Sequence, residues 1–349
     1  MGRRVLALAI LAGCAQHTDE PPRPVMVVAG PVDLPAEAPA PEPVMPPVVR
    51  AAAPVPTPSC VDDGKPYDRI ALHAVLATLG GGELDGRAPG SAGDVAAREL
   101  IVHRLTCLGL SPHEQPFTAQ NGRPTANVFA RLEGTDPAVG GEIILVAAHH
   151  DHLGDGFLGA NDNASGVVAL LGVAQAVAQR TAAPKRTIVF ATFGDEETGM
   201  TGSYFFAAHP PAEVPINKIV QVINLDMVGS HSSRGFVAAM GTFKKFAATT
   251  LLAKLARSYP RINVATGGTA RGSDFEPFCK QRIPYVFFWT PDTRCYHAKC
   301  DTVDRIDEKH LVDIAALAGD LTQAMADTNL DLAGTQQRLG CGVRYPRRE

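Results

Sequence analysis

Several clusters of histidine and acidic residues mark this sequence, most of them directly after a run of apolar residues typical of a buried strand. They are His149-His150-Asp151-His152 after IILVAA, Asn161-Asp162-Asn163 in a glycine-bounded loop, Asp195-Glu196-Glu197 after TIVFATFG, Asp226 after IVQVINL, and His297 in CYHAKC. In open α/β sheets, ligands bind in the crevice at the carboxyl ends of the strands. Imidazole nitrogens and carboxylate oxygens from separate elements are ligands that proteins use for zinc. The pattern therefore predicts a metal centre where several strands end.

The elements that must position these clusters alternate between strand and helix. Strands are predicted over 127–132, 143–148, 187–193, 219–225, 235–240 and 285–289, and helices over 68–79, 92–108, 164–179, 203–208, 244–258, 275–282 and 308–325. This alternation predicts an α/β fold with a mixed, mostly parallel central sheet flanked by helices on both faces. Ser91 is expected to cap the helix that follows it, and Gly80 to end the first helix.

The composition is that of a folded protein. Of the 349 residues, 45% are hydrophobic and 19% are charged, which excludes a fibrous or wholly disordered chain. The net charge of −4 gives no electrostatic basis for binding nucleic acid, so no such partner is expected. The partners must therefore be inferred from the site.

The first residues are typical of an export signal. Arg3 and Arg4 precede an apolar run that is too short to span a bilayer. The next residues, Leu11-Ala12-Gly13-Cys14, resemble the lipobox of bacterial lipoproteins, which implies that residues 1–13 are removed and that Cys14 is acylated. We therefore expect a protein of the bacterial cell envelope, on its periplasmic or cell-surface side, that contacts the membrane only through the lipid at Cys14. An ordinary secretory signal is the alternative.

Two segments follow the signal. Residues 14–59 contain 13 of the 28 prolines together with many alanines, and such a segment buries too little surface to fold. We predict that it is a disordered tether. Residues 60–349 contain no internal repeat, and we predict that they form a single folded domain.

The cysteines fit an exported chain. Without Cys14, six of the seven remain, so up to three disulfides are expected in an oxidising compartment. Cys295 and Cys300 are the best pair, because a disulfide between them would close a short loop around His297 and fix its approach to a metal. Zinc binding by cysteines is the competing interpretation, and it is less favoured because the sequence contains no CxxC pair.

In order and spacing, the motifs AHHD, GANDNASG, FGDEETGMTGS, NLDMVG and CYHAKCDTVD resemble those of the M28 family of dizinc aminopeptidases over about residues 62–329. The resemblance implies a zinc-peptidase-like α/β/α sandwich, two Zn²⁺ ions and peptide substrates with a free N-terminus. It implies a metal-ligand set of His149, Asp162, Glu197, Asp226 and His297. In that set His149 and Asp226 bind one ion, Glu197 and His297 bind the other, and Asp162 bridges both. In relatives the peptide bond after the bridging aspartate is often cis, and Asn163 follows it here.

The resemblance also implies roles for residues around the ions. Glu196 would be the general base that takes a proton from water and passes it to the leaving amine. Asp151 is expected to accept the second ring N–H of His149. The adjacent His150 and His152 compete with His149 as ligands, and the HxD pattern of the family selects His149.

Two aromatic positions complete the comparison with the family. Tyr296 resembles a tyrosine that stabilises the oxyanion in some relatives, with a core or surface tyrosine as the alternative. In the string RGSDFEPF, Phe275 stands where many relatives have histidine.

The function that the resemblance implies is metal-dependent hydrolysis of the N-terminal peptide bond. A glutaminyl cyclase is the nearest alternative, because it shares the fold and uses an amine in place of water as the nucleophile. The complete set of five ligands favours two metals and hydrolysis. A non-catalytic binding module on the same fold is a further alternative, against which the intact ligands and Glu196 argue. The preferred N-terminal residue and the oligomeric state stay open.

Overall fold

The computed structural model describes residue 60 and residues 65–243 and 246–332. The predicted signal peptide (1–13), the lipidation site Cys14 and the predicted tether (14–59) lie outside these residues. Within the described part of the chain, every helix is too short or too polar to span a bilayer.

The described residues form a mixed, mostly parallel sheet, as predicted. Its eight strands are β1 (His113–Thr118), β2 (Pro124–Leu132), β3 (Ile143–His149), β4 (Thr187–Phe193), β5 (Ile219–Leu225), β6 (Phe236–Met240), β7 (Asn263–Thr266) and β8 (Tyr285–Trp289). Their order across the sheet is β1-β2-β4-β3-β5-β8-β6-β7. The central run β4-β3-β5-β8 is parallel throughout, whereas β1, β2 and the β6–β8 pair are joined antiparallel.

Helices cover both faces of the sheet. They are α1 (Arg69–Leu79), α2 (Ala92–Cys107), α3 (Gly166–Ala178), α4 (Thr201–Ala208), α5 (Ala247–Leu255), α6 (Glu276–Lys280) and α7 (Glu308–Asp327). Alternate side chains of β3 belong to two hydrophobic clusters. Ile144 and Val146 are in the cluster that includes side chains of α1, α2, α3, α5 and α7, and Leu145 is in the cluster that includes side chains of α4 and α6. Every residue of β3 is buried, which explains why the strand is apolar throughout and not alternating.

The predicted elements are confirmed, with differences at their ends and at the edges of the sheet. The Oγ of Ser91 accepts a hydrogen bond from the backbone N–H of Asp94 at 3.1 Å and caps α2, as expected. The helix predicted over 164–179 starts two residues later, because residues Ala160–Ser165 form a wide turn. Strands β1 and β7 were not predicted, since both are edge strands with mostly exposed side chains and no apolar run.

The sheet order explains how distant residues meet. Strand β3 lies between β4 and β5, and the three strands run parallel. Residues 149–152, 195–197 and 226 therefore lie together at the carboxyl ends of these strands. The sequence predicts the metal centre at this end of the sheet.

The cap of α2 yields a stability prediction. We expect Ser91→Ala to lower the free energy of unfolding by about 1 kcal/mol, because the N–H of Asp94 loses its acceptor. Ser111→Ala, at an exposed loop position, is the matched control and should change it by less than about 0.5 kcal/mol. Urea unfolding followed by the fluorescence of the single tryptophan, Trp289, measures both. Equal effects of the two substitutions would contradict the capping role.

Candidate metal centre

The first group of predicted ligands meets at the end of β3. His149 is buried, and its Nε2 lies 3.4 Å from Oδ1 of Asp162 and 3.4 Å from Oδ1 of Asp226. Oδ1 of Asp226 is buried and accepts no hydrogen bond. A buried carboxylate oxygen without a partner is costly, and a cation between these three side chains would remove that cost. The donor set is one that zinc accepts.

The second group meets on the other side of Asp162. Nε2 of His297 lies 3.3 Å from Oδ2 of Asp162 and 2.9 Å from Oε2 of Glu197. Asp162 thus presents one oxygen to each group, as a carboxylate that bridges two metal ions does. The structure therefore brings all five predicted ligands together, in the two groups that the resemblance implies.

The loop that carries Asp162 is held from two sides. The peptide bond between Asp162 and Asn163 is cis. The Asp301 carboxylate accepts the backbone N–H groups of Asn161 at 2.7 Å and Asp162 at 2.9 Å. The side chain of Asn163 donates to the carbonyl of Leu225, at the end of β5. These contacts link the carboxylate of Asp162 to the loop after His297 and to strand β5, which Asp226 follows.

Asp151 links the first histidine to the two glutamates. Its Oδ1 lies 3.7 Å from Nδ1 of His149, and its backbone carbonyl is nearer, at 3.3 Å. The carboxylate accepts the backbone N–H of Glu196 at 3.0 Å and that of Glu197 at 3.4 Å. The nearer partner of the His149 ring is therefore the backbone carbonyl of Asp151 and not its carboxylate, which was the expected partner. The carboxylate instead orients the loop that carries the predicted base.

The two competing histidines have separate partners. Nε2 of His150 lies 3.3 Å from Oδ1 of the buried Asp94 and faces away from the ligands. Nδ1 of His152 lies 2.5 Å from Oε1 of Glu197. His152 thus fixes one oxygen of Glu197 while the other faces His297. Sequence reasoning missed this contact, because the string HHDH does not show which element each imidazole approaches.

The loop in RGSDFEPF contributes two further side chains. Oγ of Ser273 donates to Oδ2 of Asp226 at 2.7 Å, so it orients a predicted ligand. Phe275, which replaces a histidine of many relatives, is buried and stacks on the ring of Tyr285 with centroids 4.1 Å apart. The side chain of Phe275 therefore packs in the hydrophobic core and is not part of the metal centre.

The site concentrates negative charge away from water. Burial raises the pKa of Glu196 well above its usual value, with added repulsion from Asp274, Asp226 and Glu197. Burial likewise raises the pKa of Asp226 and takes that of Asp274 to about 7. Carboxyl groups in such surroundings resist ionisation unless cations lie among them. The charge of the site, like its donor set, therefore suits divalent cations.

Tyr296 lies at the wall of an open cavity and not in the core. The cavity has a volume of about 420 Å³, and Glu196 and every predicted ligand except His149 are in its lining. Its apolar part is formed by Met227, Met240, Ala270, Phe287 and Trp289. The Tyr296 ring is 53% exposed and stacks on that of His297, with centroids 3.8 Å apart. Burial and the nearby carboxylates raise the pKa of Tyr296 to about 12, so its hydroxyl keeps its proton at neutral pH.

The predicted disulfide between Cys295 and Cys300 is present and closes the loop that contains His297. A second disulfide joins Cys60 to Cys107 at the end of α2. The carboxylate of Asp292 accepts the backbone N–H groups of Arg294 and Cys295, at 3.3 and 3.1 Å, and orders the start of this loop. The disulfide and these bonds restrict the backbone that carries His297.

Comparison with known proteins identifies relatives of this chain. The family model described as Peptidase family M28 matches residues 127–322. The leupeptin-inactivating enzyme 1 of Streptomyces exfoliatus is 27% identical over 282 residues, which cover 75% of this chain and 61% of that protein. The chain spans less than two thirds of the length of the curated relatives it matches.

Solved structures share the fold. The aminopeptidase from Aneurinibacillus sp. strain AM-1 superimposes with a TM-score of 0.66 at 19% identity, covering 76% of this chain and 96% of that one. A glutaminyl cyclase from Porphyromonas gingivalis has a TM-score of 0.62 at 22% identity, covering 74% of this chain and 98% of that one. The likeness establishes a zinc aminopeptidase-like α/β fold, which the cyclase has as well.

The geometry of the two groups predicts the metal content of variants. We expect about two zinc ions per wild-type chain and about one after His297→Ala, because one group keeps its ligands. Asp162→Ala should lower the content below one, since both groups lose an oxygen. His150→Gln is the matched control, because His150 faces Asp94, and it should keep the wild-type content. Mass spectrometry of the dialysed proteins measures zinc. Unchanged zinc in Asp162→Ala would contradict the bridging role.

Proposed function

This chain belongs to peptidase family M28, and on that premise we propose that it is a zinc-dependent aminopeptidase that removes the N-terminal residue of peptides. The observation that carries the proposal is the sharing of Asp162 between two ligand groups, with Glu196 beside both. Such an arrangement suits hydrolysis assisted by two metal ions. The match to the family model assigns the chain to the family, and hydrolysis restricted to N-terminal residues is our inference.

In this proposal His149, Asp162 and Asp226 would hold one zinc ion, and Asp162, Glu197 and His297 would hold the other. Zinc bound there would lower the pKa of a water molecule and polarise the substrate carbonyl. Glu196 takes the proton from the water and delivers it to the leaving amine. The carboxylate of Asp151 keeps Glu196 in place through the backbone N–H.

Two other groups act on the substrate. The protonated hydroxyl of Tyr296 donates a hydrogen bond to the developing oxyanion. The acidic side chains in the cavity lining favour the positively charged N-terminus of a peptide, which an acetylated peptide lacks. The apolar part of the cavity receives the side chain of the N-terminal residue. That part suits a large apolar side chain, because it is lined by Met227, Met240, Phe287 and Trp289.

A glutaminyl cyclase is the second candidate, supported by the likeness of the fold to that of the Porphyromonas gingivalis enzyme. In that reaction the N-terminal amine of the substrate is the nucleophile, so no water is activated. The two-group arrangement around Asp162 favours hydrolysis.

We also propose that the chain is exported and anchored through a lipid at Cys14. The lipobox-like string Leu11-Ala12-Gly13-Cys14 supports this. The disulfides Cys60–Cys107 and Cys295–Cys300 support an oxidising compartment, in which such bonds persist. Labelling of the cells with a radioactive fatty acid, compared between wild type and Cys14→Ser, tests the anchor.

The role of Glu196 yields a kinetic prediction. We expect Glu196→Gln to keep its zinc and to lower kcat by a factor of about 10² to 10⁴, because the amide cannot accept the proton. Glu99→Gln, on the exposed side of α2, is the control and should act like the wild type. The assay is release of free amino acid from unblocked and N-acetylated peptides.

The outcomes of this assay separate the candidates. Release from unblocked peptides alone supports an aminopeptidase. Cyclisation of N-terminal glutamine without release would establish the cyclase instead. A Glu196→Gln enzyme of wild-type activity would show that another group is the base.

The apolar cavity yields a specificity prediction. We expect the wild type to prefer large apolar N-terminal residues, and Met240→Trp to lower kcat/KM for leucine and phenylalanine peptides by about 10- to 200-fold. The same variant should change kcat/KM for alanine peptides far less, because a methyl group does not reach the filled space. The alanine peptide is thus the internal control. An equal loss on all peptides would place Met240 outside the specificity pocket.

A further inference from the structure

The guanidinium of Arg87 is fully buried and donates hydrogen bonds to four backbone carbonyl groups. Its Nε donates to the carbonyl of His150 at 2.7 Å, Nη1 to that of Leu158 at 2.8 Å, and Nη2 to that of Gly159 at 2.9 Å. A further bond from Nη1 reaches the carbonyl of Leu79, at the end of α1. A planar guanidinium can hold several acceptors in a fixed arrangement, which a lysine cannot.

Three of these acceptors, the carbonyls of His150, Leu158 and Gly159, lie at the two ends of one loop. The loop runs from His150, next to the predicted ligand His149, to Gly159, three residues before Asp162. One side chain therefore spans the connection between a terminal ligand and the bridging ligand. Moving either end would break bonds that Arg87 makes.

The backbone segments around Arg87 are too closely packed to shift relative to one another. A Cβ on Gly86, whose φ is +73°, would lie 2.0 Å from the carbonyl oxygen of Phe157. A Cβ on Gly159, whose φ is +63°, would lie 2.1 Å from the carbonyl oxygen of Asp162. The segment that carries Arg87 and the loop are thus in direct contact, and so are the loop and the bridging residue.

The positive charge of Arg87 also stabilises the site. Burial lowers its pKa to about 10, and the nearby Asp151, Asp301, Asp162 and Glu197 oppose this. The guanidinium stays protonated at neutral pH and offsets part of the negative charge of the site.

We propose that Arg87 is a positioning residue for zinc binding, which fixes the spacing between His149 and Asp162 by clamping both ends of the 150–159 loop. The proposal rests on the zinc site of the proposed function. It predicts an effect on metal affinity that does not follow from fold stability alone.

Zinc affinity of the full chain, measured by competition with a chelator, tests the clamp. We expect Arg87→Lys and Arg87→Met each to weaken zinc binding about 10- to 100-fold, the range for residues that orient metal ligands. Arg186→Lys is the matched control. Arg186 is also buried and donates to the backbone carbonyls of Thr328 and Leu330, on the far side of the fold. It should lose thermal stability but bind zinc like the wild type.

The two substitutions at Arg87 separate geometry from charge. Wild-type zinc affinity in Arg87→Lys would overturn the clamp and leave only an electrostatic role. Equal weakening in the Arg186 control would also overturn it, since the effect would then follow stability. If neither Arg87 variant folds, Gly86→Ala displaces the clamp without removing the charge and should weaken zinc binding as well.

The same measurement separates this inference from the proposed function. A wild type that binds no zinc overturns the zinc site itself and the clamp with it. A wild type that binds zinc no more tightly than the Arg87 variants overturns the clamp alone.

Discussion

The structure depends on the burial of several carboxylates within one small volume. Asp162, Glu197 and Asp226 come from three separate loops, and their oxygens face the two imidazoles at 2.9 to 3.4 Å. Charged groups are stable away from water only when opposite charge or hydrogen bonds surround them. Two divalent cations would satisfy this requirement more fully than protons on the histidines do. The fold must therefore hold the loops in place before cations bind.

Hydrogen bonds to backbone groups hold these loops in place. Asp301 and Asp151 each accept two N–H groups from a loop that carries a ligand, and Arg87 donates to carbonyls of the loop between His149 and Asp162. Hydrogen bonds to the backbone fix the position of a loop without using its side chains. The ligand side chains therefore remain available to bind cations. The sheet supplies the common origin, because β3, β4 and β5 end together.

Much of the fold could be predicted because its central strands are buried on both faces. The apolar runs at β3 and β5 are unmistakable, whereas β1, with the sequence HEQPFT, is an edge strand with few buried side chains and gives no such signal. The side chains that meet at the candidate metal centre could be predicted because each belongs to a motif that resembles those of the family in order and spacing. Their partners could not. The bond from Asn161 to Asp301 joins residues 140 positions apart, and no local pattern shows which loops will touch.

An aminopeptidase and a glutaminyl cyclase both have this fold, so the fold alone does not decide between the two reactions. Both reactions need a polarised carbonyl and a group that moves a proton, and Glu196 can serve either. They differ in the nucleophile, which is water in one and the substrate's own amine in the other. Asp162 faces both ligand groups, so these residues would hold two cations, and two cations together would activate a water molecule. The position of the oxygens of Asp162, and not the fold, is therefore what favours hydrolysis in this chain.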